Sequence, residues 1–177
     1  MARIVMIVPP EQFRDEELFE TRAELERAGH STVVASATAR PCSGMLGGRV
    51  IPSMTLAQVD PDAFDAVVFV GGLGVKRYYQ DPQALRIARA MHERGKLVAA
   101  ICLAPVVLAN AGLLKGRSAT VSASEAKTLQ RLGASYRGPG VVVDGNIITA
   151  DGPASARRFG DAIAAHFTPV AAPAPLV

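Results

Sequence analysis

Cys102 is the side chain of this sequence best placed to act as a nucleophile. It stands between the apolar run Leu97-Val98-Ala99-Ala100-Ile101 and the segment Pro105 to Ala111, closed by Gly112; these read as a buried strand and a short helix. At such a junction a thiol meets free backbone N–H groups and the positive end of the helix, both of which favour thiolate. The expectation is therefore an exposed sulfur with a pKa below the ~8.5 of a free thiol. Ala99, Ala100 and Ala104 are small, as a sharp strand-to-helix elbow requires. The competing reading is a buried cysteine filling a small core site.

A nucleophile needs a proton partner. His30 lies beside a strand start, His92 within a helix and His166 in the last helix, so none falls at a strand tip and a Cys-His pair is not supported. Carboxylates are available: Glu11, Asp15, Glu16 and Glu17 cluster where the first helix begins. Taken singly they read as complements of the helix dipole on a solvated face. Glu17 differs, because it precedes Leu18 and lies one turn before Thr21 on the inward stripe, which aims it at the carboxyl edge of a sheet. Gly71-Gly72, after another buried run, permits close backbone approach and a free N–H for an oxyanion formed at Cys102; a plain tight turn fits equally well. Gly72-Leu73-Gly74 does not extend to a dinucleotide fingerprint, because Arg77 takes the third glycine's place, and no phosphate loop occurs. Cys42 and Cys102 are too few for a disulfide framework or a four-ligand metal site. The expected cofactor and metal content is none.

The elements that must position these residues alternate. Arg3 to Val8 is a continuous apolar run, as in a strand covered on both faces. A helix follows from Asp15 to Ala28 with Gly29 as its stop, then a strand at Ser31 to Ser36, so the first third reads βαβ and implies a parallel sheet. Residues 38–62 carry loop punctuation and one short edge strand at Arg49-Val50-Ile51. Phe64 to Val70 is a third buried strand. Asp81-Pro82 supplies an N-cap and first-turn proline for a helix bearing Leu85, Ala88 and Met91. Ser122 and Glu125 form a capping box for a helix to Leu132, Val141 to Thr149 is a hairpin about Asp144-Gly145, and Asp151-Gly152-Pro153 opens a last helix with Phe159, Ile163 and Phe167. The expected architecture is a three-layer α/β/α sandwich, an open, doubly wound, mostly parallel sheet whose ligands bind outside the strands' carboxyl ends. One domain is expected over 1–167, with an irregular Ala/Pro-rich tail over 168–177.

The 177 residues are 49% apolar and carry 19 basic and 16 acidic side chains, net +3, without a charge block. Aromatics are 5%, and the nearest basic-aromatic cluster, Lys76-Arg77-Tyr78-Tyr79, reads as a solvated loop, so nucleic acid is not an expected partner. The longest apolar run is broken by Pro105 and too short to span a bilayer. With two cysteines and no h-region near Met1, the expected compartment is reducing and cytoplasmic.

The set Ala100-Ile101-Cys102-Leu103-Ala104-Pro105, Gly71-Gly72 and Phe13-Arg14-Asp15-Glu16-Glu17-Leu18 resembles the ThiJ/PfpI superfamily. Lys115-Gly116-Arg117, Val143-Asp144-Gly145-Asn146 and Gly152-Pro153 extend the resemblance over residues 3 to about 167. It implies a flavodoxin-like fold with a nucleophile elbow, and a homodimer or larger assembly. It further implies that Glu17 is a protonated carboxyl hydrogen-bonded to the Cys102 thiolate, with the Gly72 and Leu103 amides as oxyanion hole. Leu103 stands where the family's proteases carry His, and Ser122 or Ala123 where an aromatic or His is expected, which argues against peptidase activity. A glutamine amidotransferase would need a His and Glu on a late loop, and only His166 follows residue 92.

Three functions fit. The first is Cys-dependent conversion of a small electrophile such as methylglyoxal to lactate, as in a cofactor-independent glyoxalase or deglycase. The second is hydrolysis or hydration of another small substrate, an amide or isonitrile. The third is a redox-sensing, stress-protective protein with an oxidisable Cys102.

Overall fold

The unbroken apolar runs become the centre of a sheet because both faces of each strand are covered. In the computed structural model, which describes residues 1–169 and 174–175, the elements in chain order are β1 (Arg3–Ile7), β2 (Glu11–Phe13), α1 (Asp15–Arg27), β3 (Ser31–Ser36), β4 (Cys42–Gly44), β5 (Arg49–Val50), β6 (Met54–Thr55), β7 (Ala66–Phe69), α2 (Pro82–Glu93), β8 (Leu97–Ile101), α3 (Pro105–Asn110), β9 (Ser118–Ala119), α4 (Ala126–Arg131), β10 (Ser135–Tyr136), β11 (Val141–Asp144), β12 (Ile147–Ala150) and α5 (Ala156–His166). The main sheet has the order β11-β12-β8-β7-β1-β3-β6. Only the β11–β12 hairpin is antiparallel.

The strands' alternation sorts their side chains between two cores. Ile4 and Met6 of β1, with Val68, Ala99 and Ile101, pack against Leu18 and Leu25 of α1 and Phe159 and Ile163 of α5. Val5 and Ile7, with Val67, Phe69, Val98 and Ala100, pack against Ile87 and Met91 of α2, Val106 of α3 and Leu129 of α4. This is the expected three-layer α/β/α arrangement. At ~25 cal/mol per Å² of apolar surface removed from water, each such large side chain stabilises the fold by about 1.5–3 kcal/mol. Among the described residues no helix is long and apolar enough to cross a membrane. Of the expected tail, residues 170–173, 176 and 177 lie outside the described residues.

The structure departs from the sequence reading in four local places. The first is the stretch after β1, read as a loop up to Asp15. It forms β2, which pairs with β4 and through it with β5 in a separate three-stranded sheet; the edge expected at 49–51 thus belongs to that small sheet, and β6 is the edge of the main one. Second, the capping box does not form: Ser122 makes no side-chain cap, and residues 123–125 make a 3-10 turn before α4. Its N–H is committed to the carbonyl of Cys102 at 2.8 Å and its hydroxyl lies 3.3 Å from that of Ser124. Third, Lys76 and Arg77 are exposed, but Tyr78 is fully buried in a 3-10 segment, so this is no solvated loop. The Tyr78 hydroxyl donates to the Val8 carbonyl and accepts from the Ala37 N–H, each at 2.9 Å, a long-range tie invisible to local pattern. Finally, the late hairpin is displaced by one residue, since Asp144 pairs with Ile147 and the turn is Gly145-Asn146.

Candidate active site

Cys102 follows β8 directly, and its backbone sits at φ +65°. A non-glycine residue in the left-handed region costs on the order of 1–3 kcal/mol and persists only where the surroundings impose it. Here the imposition is complete: the Cys102 N–H donates to the Ala150 carbonyl at 2.9 Å, its carbonyl accepts from Ser122, and Ala104 N–H turns back to the Ile101 carbonyl at 3.1 Å. The turn lifts the side chain out of the strand to a half-buried position, less exposed than its placement alone implied. The N–H groups of Gly72 and Leu103 lie near enough to the sulfur to favour its anion.

The three acids of the first turn of α1 divide into three roles. Asp15 is 9% exposed, not solvated as expected, and accepts from the Leu46 and Gly48 N–H groups, both at 2.7 Å, fastening the β4–β5 turn to the helix start. Glu16 holds Arg14 bidentately, at 2.7 and 3.1 Å. Glu17 is fully buried. Its Oε2 accepts from the Gly71 N–H at 2.9 Å, so that amide is occupied and does not face a substrate. Its Oε1 is sealed from solvent and meets no donor of full hydrogen-bond geometry. The polar group beside this carboxyl is the Cys102 thiol, close enough to couple to it without a well-aligned bond.

Both glycines are required by space. A Cβ on Gly71 would lie 2.5 Å from Glu17 Oε2 and 2.6 Å from both Cys102 Cβ and the Ile101 carbonyl oxygen. Gly72, at φ +104°, would drive one into the Gln12 carbonyl and to 2.5 Å from Arg14 N. The strand β2 is itself irregular here, with Gln12 at φ +59° and a register shift against β4. That bulge brings Arg14 N–H onto the Gly71 carbonyl at 2.9 Å.

Burial dominates the electrostatics. It pushes Glu17 up to about 8, against lowering contributions from the Cys102 thiol, the Gly71 N–H and the nearby Arg14. At neutral pH this carboxyl therefore holds its proton, and Oε1 is the oxygen free to carry it. The Cys102 thiol is also pushed up, to about 12, first by burial and then by the Glu17 carboxylate; the two amides only partly oppose this. The sequence expectation of a lowered thiol pKa is corrected accordingly, because the strand-to-helix turn is buried beside a second acid. The two groups titrate as a pair: the first proton leaves near 8, from Glu17, and the carboxylate left behind opposes loss of the second from Cys102.

The cleft over Cys102 has a volume of ≈ 190 Å³ and is lined by Arg14, Glu17, Met45, Gly72, Leu73, Leu103, Ser122, Ser124 and Pro153. No histidine is among them. His30 accepts from the Ala2 N–H, and His166 meets Phe167 edge to face. Arg14, whose charge acts on both Glu17 and Cys102, was missed by the sequence reading. So was Met45, which the β4–β5 turn brings over the cleft. The only signal for Arg14 is its position three residues before Glu17 at a helix start. Among the described residues, no group of three His, Cys, Asp or Glu side chains could hold a metal ion.

A doubly wound sheet with a left-handed cysteine at a strand-to-helix elbow defines the class. The DJ-1/PfpI family model matches residues 2–166, and the chain belongs to that family. It is 46% identical to the uncharacterised protein MJ0967 of Methanocaldococcus jannaschii over 90% of this chain and 79% of that one. It is 35% identical to the deglycase TK1284 of Thermococcus kodakarensis, over 84% and 90%. The crystal structure of a ThiJ/PfpI domain protein from Brachyspira murdochii superposes with a TM-score of 0.90 at 34% identity, covering 92% of this chain and 94% of that one.

Proposed function

We propose that the protein is a cofactor-independent enzyme that converts small 2-oxoaldehydes to 2-hydroxy acids, methylglyoxal to lactate being the type reaction, with Cys102 as nucleophile and Glu17 as proton shuttle. The observation that carries this reading is the buried carboxyl held protonated against a half-buried thiol, in a cleft with no histidine. The deglycase names of several relatives support it.

In the monoanionic pair, the Glu17 carboxylate takes the thiol proton as the sulfur adds to the aldehyde carbon and gives it to the oxygen, forming a hemithioacetal and restoring the carboxylate. The amides of Gly72 and Leu103 hold the oxyanion as it forms. The Glu17 carboxylate then removes the hydrogen from that carbon and returns a proton to the neighbouring one through an enediol, leaving a thioester. Water cleaves the thioester to lactate and restores the thiol, so no external oxidant or reductant is consumed. A carboxyl with pKa near 8 serves as acid and base in turn. Peptide cleavage is disfavoured, because protonating an amine leaving group calls for an imidazole where Leu103 and Ser122 stand.

This reading places the machinery in one domain over residues 1–167 that works as a homo-oligomer. Sedimentation velocity checks the assembly. Incubating purified protein with methylglyoxal and measuring lactate tests the function. Formation of lactate that disappears in Cys102→Ala supports it, whereas turnover retained in Cys102→Ala rules it out.

A further inference from the structure

A second cleft, of ≈ 360 Å³, shares no lining residue with the Cys102 cleft and is lined by three arginines, Arg40, Arg49 and Arg77, with Thr38 and Ser43 and a single acid, Glu11. Like charges converging on one concavity repel unless something neutralises them. Among the described residues the ion pairs engage other arginines, such as Arg14, Arg94 and Arg117. None joins Glu11 to Arg40, Arg49 or Arg77.

The cleft is built on fixed supports. Arg77 precedes the buried Tyr78, whose hydroxyl ties the Val8 carbonyl just beyond β1 to the Ala37 N–H just beyond β3. Arg49 and Ser43 are paired with each other across β5 and β4. The walls are therefore the carboxyl ends of two parallel strands and the small sheet, and the carboxyl edge is where open α/β sheets hold their ligands. Guanidinium groups match phosphate and carboxylate oxygens in geometry as well as charge.

We propose that this cleft is a binding site for a small phosphorylated anion, separate from the Cys102 cleft. It is seated by Arg40, Arg49 and Arg77, with Thr38 and Ser43 as hydroxyl donors. The site does not depend on the reaction at Cys102, so it can be tested in Cys102→Ala as well as in the wild-type protein.

The test is calorimetric titration of the full chain with inorganic phosphate and with pyrophosphate, against sodium chloride of equal ionic strength. Thermal unfolding is followed in parallel. The expected result is one saturable site with Kd of about 1 mM or tighter and a rise in Tm. Arg49→Gln and Arg77→Gln should each weaken it by about tenfold or more, and the exposed Arg131→Gln should leave it unchanged. All three replaced positions are on the surface, and each variant's own melting curve verifies its fold. Absence of saturation up to on the order of 10 mM phosphate or pyrophosphate, or equal binding by Arg49→Gln/Arg77→Gln, would overturn the proposal. So would a response to duplex DNA with none to phosphate, since that marks an extended polyanion surface.

Discussion

The two cysteines occupy opposite kinds of backbone. Cys42 lies in β4, regularly paired with Val50, fully buried, with its thiol donating to the Arg40 carbonyl at 3.6 Å; burial pushes it up, opposed only by Ser36. Cys102 is held at φ +65°, half in the cleft, with two amides near its sulfur and a protonated carboxyl beside it. Both thiols are raised by burial, so burial does not separate them. What separates them is the turn that presents one sulfur to the cleft, together with a second buried acid beside it.

The comparison is broken most directly by removing each sulfur. Under the proposed mechanism, Cys102→Ala lowers methylglyoxal turnover by about three orders of magnitude or more; Cys42→Ala leaves kcat/KM within about twofold. Equal losses would show that the elbow confers nothing special.

Glu17→Gln keeps the shape and removes the shuttle, so kcat falls by about 10²–10⁴. Stability moves the other way with pH. The Glu17 pKa of about 8 in the fold lies above its ordinary 4.5, so the native state retains a proton that the unfolded chain has lost between those values. The wild-type protein therefore loses stability as pH rises from 4.5 towards 8, by a few kcal/mol for a shift of this size. Glu17→Gln does not titrate, and its urea midpoint should gain on the wild type across that window.

Gly71→Ala sharpens the spatial half of the argument. Its methyl meets both Glu17 and Cys102, so a loss of about 1–3 kcal/mol in stability should accompany a fall in turnover. Gly29→Ala, strained at φ +90° but facing open space, should cost about 1 kcal/mol with kcat unchanged. Cys42→Ala should cost a similar amount, about 1 kcal/mol in stability, read by chemical denaturation.

The main sheet was legible because its strands are apolar on both faces and its helices carry strong start and stop signals, as at Asp81-Pro82 and Gly29. The Cys102 elbow and the inward aim of Glu17 were legible for a similar reason: each is fixed by its own strand or helix. Asp15 and Met45 were not, because their roles depend on the β4–β5 turn, thirty residues away, folding back over the start of α1; Arg14 was not, because it is set against Gly71 by the irregular β2, which no local pattern announces. Tyr78 was hidden in the same way, since its partners Val8 and Ala37 are remote in sequence. The thiol's direction of shift was misjudged because dipole and amides are local features, whereas burial beside Glu17 is tertiary.

The central claim, that Cys102 and Glu17 act as one proton-sharing pair, is tested by the rate of Cys102 alkylation as a function of pH in the wild-type protein and Glu17→Gln, with the site of modification assigned by peptide mass. The account requires an inflection near pH 8 in the wild type, where the pair loses its first proton, and its absence in the variant. Superimposable profiles would mean that the two groups titrate independently and would contradict it.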